Sequence, residues 1–293
     1  MTKVAWVFPG QGSQSKGMGL DLQTHRIAQK RLAEAEQVLG WSVLEKCEGD
    51  EETLSRTLYT QPCLYTIEAI LVDLLRERGK KAEVVAGHSL GEYTALYAAG
   101  VYDFTTGLEL VQKRAQLMDG CQGGKMVALM KFDRSTLEEL VAGREDVVIA
   151  NDNSEEQVVI SGTPTAVDEV VAKVKAKLAV PLKVSGAFHS PLMAEANQEF
   201  TQTLEKVEFQ DAQIPVISNV HPIPTTCGKT LKESLKLQMT GSVRWREIMS
   251  TMVVELGVTD VFEVGPGRVL TGLFKRTFKE LQLVNIASLV DLP

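Results

Sequence analysis

The chain has 293 residues, 44% of them apolar and 24% charged, which is ordinary globular composition with enough apolar material for a sizeable core. Its net charge of −7 argues against bulk nucleic-acid binding, which needs a basic field to displace counterions. No apolar run reaches membrane-spanning length, and the start, Met1 to Gly10, has neither the charged opening nor the cleavage site of a signal peptide, so a cytoplasmic protein is expected. Cys47, Cys63, Cys121 and Cys227 are scattered without metal-type spacing and read as free thiols; no metal site is expected.

Lys3 to Phe8 is an apolar run that stops at Pro9-Gly10-Gln11-Gly12, a strand meeting a turn. Thr60-Gln61-Pro62 is expected to open a helix with Pro62 in its first turn, because Leu64, Ile67, Leu71, Leu74 and Leu75 recur on one face. Glu83 to Gly87 reads as a buried strand, followed by a sharp turn at Ser89 and a helix from Gly91 through Ala99 that Gly100 ends. Asp103 to Met118 is a further helix.

The middle of the chain changes character. Lys125–Lys131, Val147–Asn151, Gln157–Gly162 and Val180–Val184 read as strands. A capped helix starts at Asp133, and another runs from Pro164 to Leu178. The order βαββαβ is that of a ferredoxin-like small domain, placed at residues 124–188. Residues 1–123 and 189–293, with strands at Pro215–Asn219 and Asp260–Val264, make up the large domain. The fold class expected is α/β: a large α/β-hydrolase-like domain with a mainly parallel sheet, carrying the small domain as an insert.

Gly87-His88-Ser89-Leu90-Gly91 fits G-x-S-x-G between a strand and a helix. A serine on such a turn presents its hydroxyl outward, and the helix that follows aims N–H groups at the place where negative charge develops. A serine hydroxyl needs a base. Of the four histidines, His88 adjoins Ser89 and points away on a tight turn, which suits packing, and His25 lies in a polar, charged helix and looks solvated. His189, at a strand end before Pro191, and His221, in the turn Asn219-Val220-His221-Pro222, stand about level on spacing alone.

Phe8 to Gln14, Gly87 to Tyr93, Ala187 to Ser190, Gln238 to Trp245 and Glu263 to Gly267 together resemble the malonyl-CoA:acyl-carrier-protein transacylase family. The five blocks stand in that family's order, and the resemblance they carry runs over nearly the whole chain. The resemblance implies that Ser89 is the nucleophile and His189 its base. It implies a histidine held by the backbone carbonyl of Gln238 in place of a carboxylate, and an oxyanion held by the backbone N–H groups of Gln11 and Leu90. It assigns Arg114 to the malonyl carboxylate, where a guanidinium makes two parallel hydrogen bonds. Phe188 resembles the malonyl-selective form of its segment. The substrates implied are malonyl-CoA and holo-acyl carrier protein, with no cofactor, in fatty acid biosynthesis.

Carrier proteins of this kind are acidic, and Arg268, Lys275, Arg276 and Lys279 on a C-terminal helix offer a docking face. A monomer is expected. Two other readings stand beside this one: a malonyl transferase of a polyketide pathway, and a serine thioesterase or esterase of the α/β-hydrolase class. The esterase needs an acid between Ser89 and His189, for which Asp152 and Asp168 are available. Asn151 and Asn153 suit either the cleft or a turn. Gly10-Gln11-Gly12 lacks the third glycine of a dinucleotide fingerprint, since position 15 is Ser, and Gly228-Lys229-Thr230 lacks the earlier glycine of a phosphate loop, since position 223 is Ile.

Overall fold

A computed structural model describes residues 2–293. β1 (Val4–Phe8) leads through a loop and a 3-10 turn into α1 (Arg26–Leu39), α2 (Val43–Glu48), α3 (Glu51–Ser55) and the long α4 (Thr57–Glu77). β2 (Val84–Gly87), α5 (Gly91–Ala98) and α6 (Phe104–Gly120) follow. The next stretch is β3 (Lys125–Phe132), α7 (Arg134–Val141), β4 (Val147–Ser154), β5 (Gln157–Gly162), α8 (Pro164–Lys173) and β6 (Ala176–Pro181). The chain closes with α9 (Ala194–Glu205), β7 (Val216–Ile217), α10 (Gly228–Gln238), α11 (Trp245–Ser250), β8 (Asp260–Val264), α12 (Val269–Thr277) and β9 (Gln282–Ile286).

Two sheets result. β7-β2-β1-β8-β9 is a five-stranded sheet in which every pairing is parallel. β1, β2 and β7 are buried on both faces, which is why they read as continuous apolar runs. Trp6, Phe8 and Val85 pack into the layer formed with α1, α4, α5 and α6, while Ala5, Val7 and Ala86 pack against Trp245 and Ile248 of α11 and Phe274 of α12. The second sheet, β4-β5-β3-β6, is antiparallel throughout, and its own core of Leu129, Leu137, Ile160, Val167 and Val170 joins it to α7 and α8.

Three elements differ from the sequence expectation. α4 begins at Thr57, so Pro62 lies inside the helix rather than in its opening turn; it forfeits one backbone bond there, within a helix otherwise buried over most of its length. α8 stops at Lys173, and Ala176–Pro181 pairs with β3, so the last strand comes four residues earlier than the expected Val180–Val184. The pairing of Phe132 with Ala176 and Met130 with Leu178 overrides the helical period there. β9, a half-buried edge strand, had no distinct signal.

The parallel pairing Phe8↔Gly87 ends β1 and β2 side by side, so the turns carrying Gln11 and Ser89 emerge together at the carboxyl edge of the sheet. Close approach there requires glycine. A Cβ on Gly87 would lie 1.8 Å from the Gly91 carbonyl carbon, and one on Gly91 would lie 2.1 Å from the Phe8 carbonyl oxygen.

Candidate active site

Ser89 sits between β2 and α5 with φ 53°, a left-handed conformation that costs a non-glycine residue about 1–2 kcal/mol. The turn is held from behind. Asn219, after β7, donates from Nδ2 to the Gly87 carbonyl at 2.6 Å, and its Oδ1 accepts the Ser89 N–H at 2.8 Å. The backbone N–H groups of Gln11 and Leu90 make no hydrogen bond among the described residues, so both are free to donate to a bound group.

His189 lies in the segment after β6, also at positive φ (56°), and is 4% exposed. Its Nε2 is 2.7 Å from Ser89 Oγ. Its Nδ1 faces two carbonyl oxygens, Gln238 at 2.9 Å and Gly241 at 3.1 Å. Carbonyls only accept, so Nδ1 carries the proton and Nε2 presents a lone pair to the serine hydroxyl. Burial and the Arg114 charge push the ring's pKa down to about 3, against the Gln238 hydrogen bond that favours the cation. The imidazole is therefore neutral at ordinary pH.

Arg114, on α6, is 1% exposed and meets no carboxylate. Nη1 donates to Gln61 Oε1 at 2.7 Å; Nη2 donates to Ser89 Oγ at 3.1 Å and to Gln238 Oε1 at 3.2 Å. The guanidinium stands 5.4 Å from the Tyr93 ring centroid, and its buried Nε has no acceptor. Burial pulls its pKa below the usual arginine value. A buried cation with only neutral partners is costly, and Arg114 lines an open cavity.

Gln11, Gln61, Asn151, Met118, Met126, Leu182, Val184 and Phe188 line the same cavity as Ser89, Arg114 and His189. None of the other histidines hydrogen-bonds Ser89, although His88 also lines the cavity. His221 pairs with Ser234 Oγ at 3.2 Å. His25 caps α1, accepting the Ile27 N–H, and pairs with Glu77, which places it at a helix end rather than within a helix. His88 packs near Trp245 and hydrogen-bonds Asn153 Oδ1 at 2.8 Å, so Asn153 braces the nucleophile turn from β4.

Sequence reasoning passed over Gln61, Asn219, Glu92 and Gly241. Gln61 carries the one usable signal, an amide in a helix whose neighbours are nearly all apolar. The other three act through backbone atoms or buried contacts that no local pattern marks.

Neither candidate for the acid of an esterase triad is in place. Asp152 bridges Arg134 at 2.9 Å and Arg246 at 3.0 Å, and Asp168 pairs with Lys125 at 2.5 Å; neither reaches His189. Asp152→Ala should lower stability by about 1–3 kcal/mol, because two half-buried guanidiniums lose their shared partner, and should leave the rate of Ser89 acylation unchanged. A collapse of acylation in a folded Asp152→Ala protein would restore the triad reading.

Residues 5–292 match the family model described as Acyl transferase domain. The chain is 60% identical over 290 residues to the malonyl CoA-acyl carrier protein transacylase of Synechocystis sp., covering 99% of both chains, and superposes on the crystal structure of that protein with a TM-score of 0.97. It is 39% identical to the polyketide biosynthesis malonyl CoA-acyl carrier protein transacylase of Bacillus subtilis, over 95% of this chain and 98% of that one. A malonyl-transacylase solved in complex with a type II polyketide acyl-carrier protein superposes with a TM-score of 0.93 at 37% identity, covering 99% of this chain and 98% of that one. The serine–histidine pair, the buried arginine and these full-length likenesses together place the chain in the malonyl-CoA:acyl-carrier-protein transacylase family of acyl transferase domains.

Proposed function

We propose that the protein transfers a malonyl group from malonyl-CoA to the phosphopantetheine thiol of acyl carrier protein through an ester on Ser89. The observation that carries this reading is one hydroxyl held by a neutral imidazole and by a buried guanidinium whose hydrogen-bond partners are all neutral. An enzyme acting on neutral acyl groups has no use for that cation.

In the first half-reaction the malonyl carboxylate takes the place of weak partners on Arg114. Ser89 Oγ bonds to the thioester carbon as its proton passes to His189 Nε2. The Gln11 and Leu90 N–H groups hold the oxyanion; such donors are worth roughly 10²–10³ in rate each. The carbon–sulfur bond breaks, and the coenzyme A sulfur leaves with the proton from His189. In the second half the carrier thiol gives its proton to His189, its sulfur bonds to the ester carbon, and Ser89 Oγ leaves and recovers the proton. The Gln238 carbonyl steadies the imidazolium while it exists. Phe188 limits room beside the malonyl α-carbon; a single methyl is worth about 1–3 kcal/mol in a pocket.

The same reading includes a cytoplasmic monomer, no cofactor and a role in fatty acid biosynthesis. A polyketide role is the second reading, favoured by the Bacillus relative; the first is preferred because the more similar Synechocystis relative bears no polyketide description. It divides the chain into an α/β-hydrolase-like domain, residues 1–123 and 189–293, and a ferredoxin-like insert at residues 124–188. The strand order of the antiparallel sheet, second-third-first-fourth along the insert, supports that description.

We place carrier docking beside α12, which carries the exposed Lys275 and Arg276; Arg268 and Lys279, expected on the same helix, are exposed but lie at its N-cap and past its C-terminus, and Arg276 reaches Gln157 on β5. Reversing charge at Lys275 and Arg276 should raise the KM for carrier protein and spare acylation by malonyl-CoA. An unchanged KM removes this face.

Intact-mass analysis after mixing with malonyl-CoA should show one malonyl adduct, which addition of holo-acyl carrier protein discharges. Ser89→Ala should take no label. Arg114→Ala should lose about 100-fold in malonyl transfer, the worth of one to two charge-assisted hydrogen bonds, and should lose far less with acetyl-CoA. Retention of the malonyl preference by Arg114→Ala would refute the arginine assignment.

The pH dependence follows from His189. An imidazole at its ordinary value near 6.5 loses about tenfold in active form between pH 8 and 5.5, whereas a ring depressed to about 3 stays neutral across that range. The kcat/KM for malonyl-CoA, which reports the free enzyme, should therefore show no histidine limb above pH 5.5. The unfolded chain takes up this proton below its ordinary value and the folded one does not, so the neutral ring's contribution to stability is present above about pH 6.5 and is lost as pH falls toward 3. A limb with an apparent pKa near 6.5 would contradict the buried, neutral ring.

A further inference from the structure

Glu92, on α5 three residues after the nucleophile, is a fully buried acid that the proposed chemistry does not use. Its Oε2 accepts Gln238 Nε2 at 2.8 Å and the Asn219 backbone N–H at 3.2 Å. Both partners act on the reacting groups. Asn219 holds the Ser89 N–H and the Gly87 carbonyl. Gln238 offers His189 its backbone carbonyl and Arg114 its side-chain oxygen.

The Gln238 amide has two possible orientations, and its surroundings select one. Arg114 can only donate, so the oxygen must face Nη2. On the other side, Nε2 donates to the Ser89 carbonyl at 2.8 Å as well as to Glu92. A carboxylate oxygen and a carbonyl oxygen only accept, which fixes the amide nitrogen there. With the amide reversed, its nitrogen would face the guanidinium and its oxygen the Glu92 carboxylate, losing three hydrogen bonds in a dry site.

We propose that Glu92 is a positioning residue that acts through Gln238: by holding the amide nitrogen it keeps Gln238 Oε1 on Arg114 and the Gln238 carbonyl on His189, and so sets the malonyl anchor and the base against Ser89 together. This rests on the reading of Ser89 as the malonylated nucleophile. The placement on α5 gives the coupling its rigidity, since the helix that begins at the nucleophile turn also carries the carboxylate that fixes the two groups opposite it. The Asn219 contact ties the same carboxylate to the segment that restrains the turn.

The test is single-turnover acylation of Ser89 by malonyl-CoA and by acetyl-CoA, read by intact mass on variants whose folding is checked by thermal melting. An unlabelled wild-type protein would refute the function itself; every other outcome concerns Glu92. Glu92→Leu should slow malonylation on the order of 100-fold, the scale of a 1 Å misplacement of a catalytic group, and should lower the malonyl-to-acetyl ratio because Arg114 loses its stop. Glu92→Gln, whose amide oxygen can accept both bonds, should recover to within about threefold, the difference between a charged and a neutral acceptor. Glu92→Asp keeps the charge but withdraws it by one methylene; it should match the leucine variant and carries the test if that variant does not fold. In a Gln238→Met background, which keeps the backbone carbonyl, removing the carboxylate should cost no more than about twofold again, as for two residues on one path. Wild-type rates in Glu92→Leu or Glu92→Asp, equal losses in Glu92→Gln and Glu92→Leu, or full additivity with Gln238→Met would each overturn the proposal.

Discussion

The whole site depends on an unpaired positive charge buried beside a hydroxyl. Arg114 is held by two amide oxygens and the Ser89 oxygen, all neutral, at 2.7–3.2 Å. A folded protein tolerates such a cation only where the surrounding packing is rigid and where a ligand supplies the missing anion. Four helices meet that requirement. α4 brings Gln61, α5 brings the nucleophile turn and Tyr93, α6 brings Arg114 itself and α10 ends on Gln238. The same charge lowers the affinity of His189 for a proton, so the imidazole and the guanidinium are electrostatically one device.

The two sheets meet at this device rather than merely flanking it. The Asp152 N–H donates to Val243 and the Val243 N–H to Ala150, so the loop after Gln238 is stitched to β4. Gly241, in that same loop, gives His189 its second carbonyl. Asn153 of β4 holds His88, and Asp152 holds Arg246 of α11. Displacement of the antiparallel sheet therefore moves the groups that orient the His189 ring, which ties that sheet physically to the site.

Replacing a triad carboxylate by backbone carbonyls changes the energetics of the base. A carboxylate would raise the pKa of the ring and hold it charged between steps. Two carbonyls fix the tautomer with much less stabilisation of the cation, which suits a ring that must return its proton to the leaving group in each half-reaction, a thiol in the first and the serine oxygen in the second. Among the described residues the His189 ring bonds only to Ser89 and to two backbone carbonyls, and Asp152 and Asp168 are ion-paired elsewhere.

The sequence by itself determined the parallel core, because strands buried on both faces must be apolar runs, and it marked Ser89, because a strand-to-helix turn under close packing demands glycines on either side. By resemblance it also pointed to His189, Arg114 and the Gln238 carbonyl. It misplaced Pro62 within α4 and the start of β6, where burial and strand pairing outweigh local propensity. Residue spacing left His189 and His221 level; tertiary structure decided between them by setting one ring 2.7 Å from Ser89 Oγ and the other beside Ser234. Tertiary structure alone decided the parts played by Gln61, Asn219, Glu92 and Gly241. Their contributions are hydrogen bonds spanning 52 to 146 positions of chain, and a local pattern carries no record of which distant group a buried oxygen will meet.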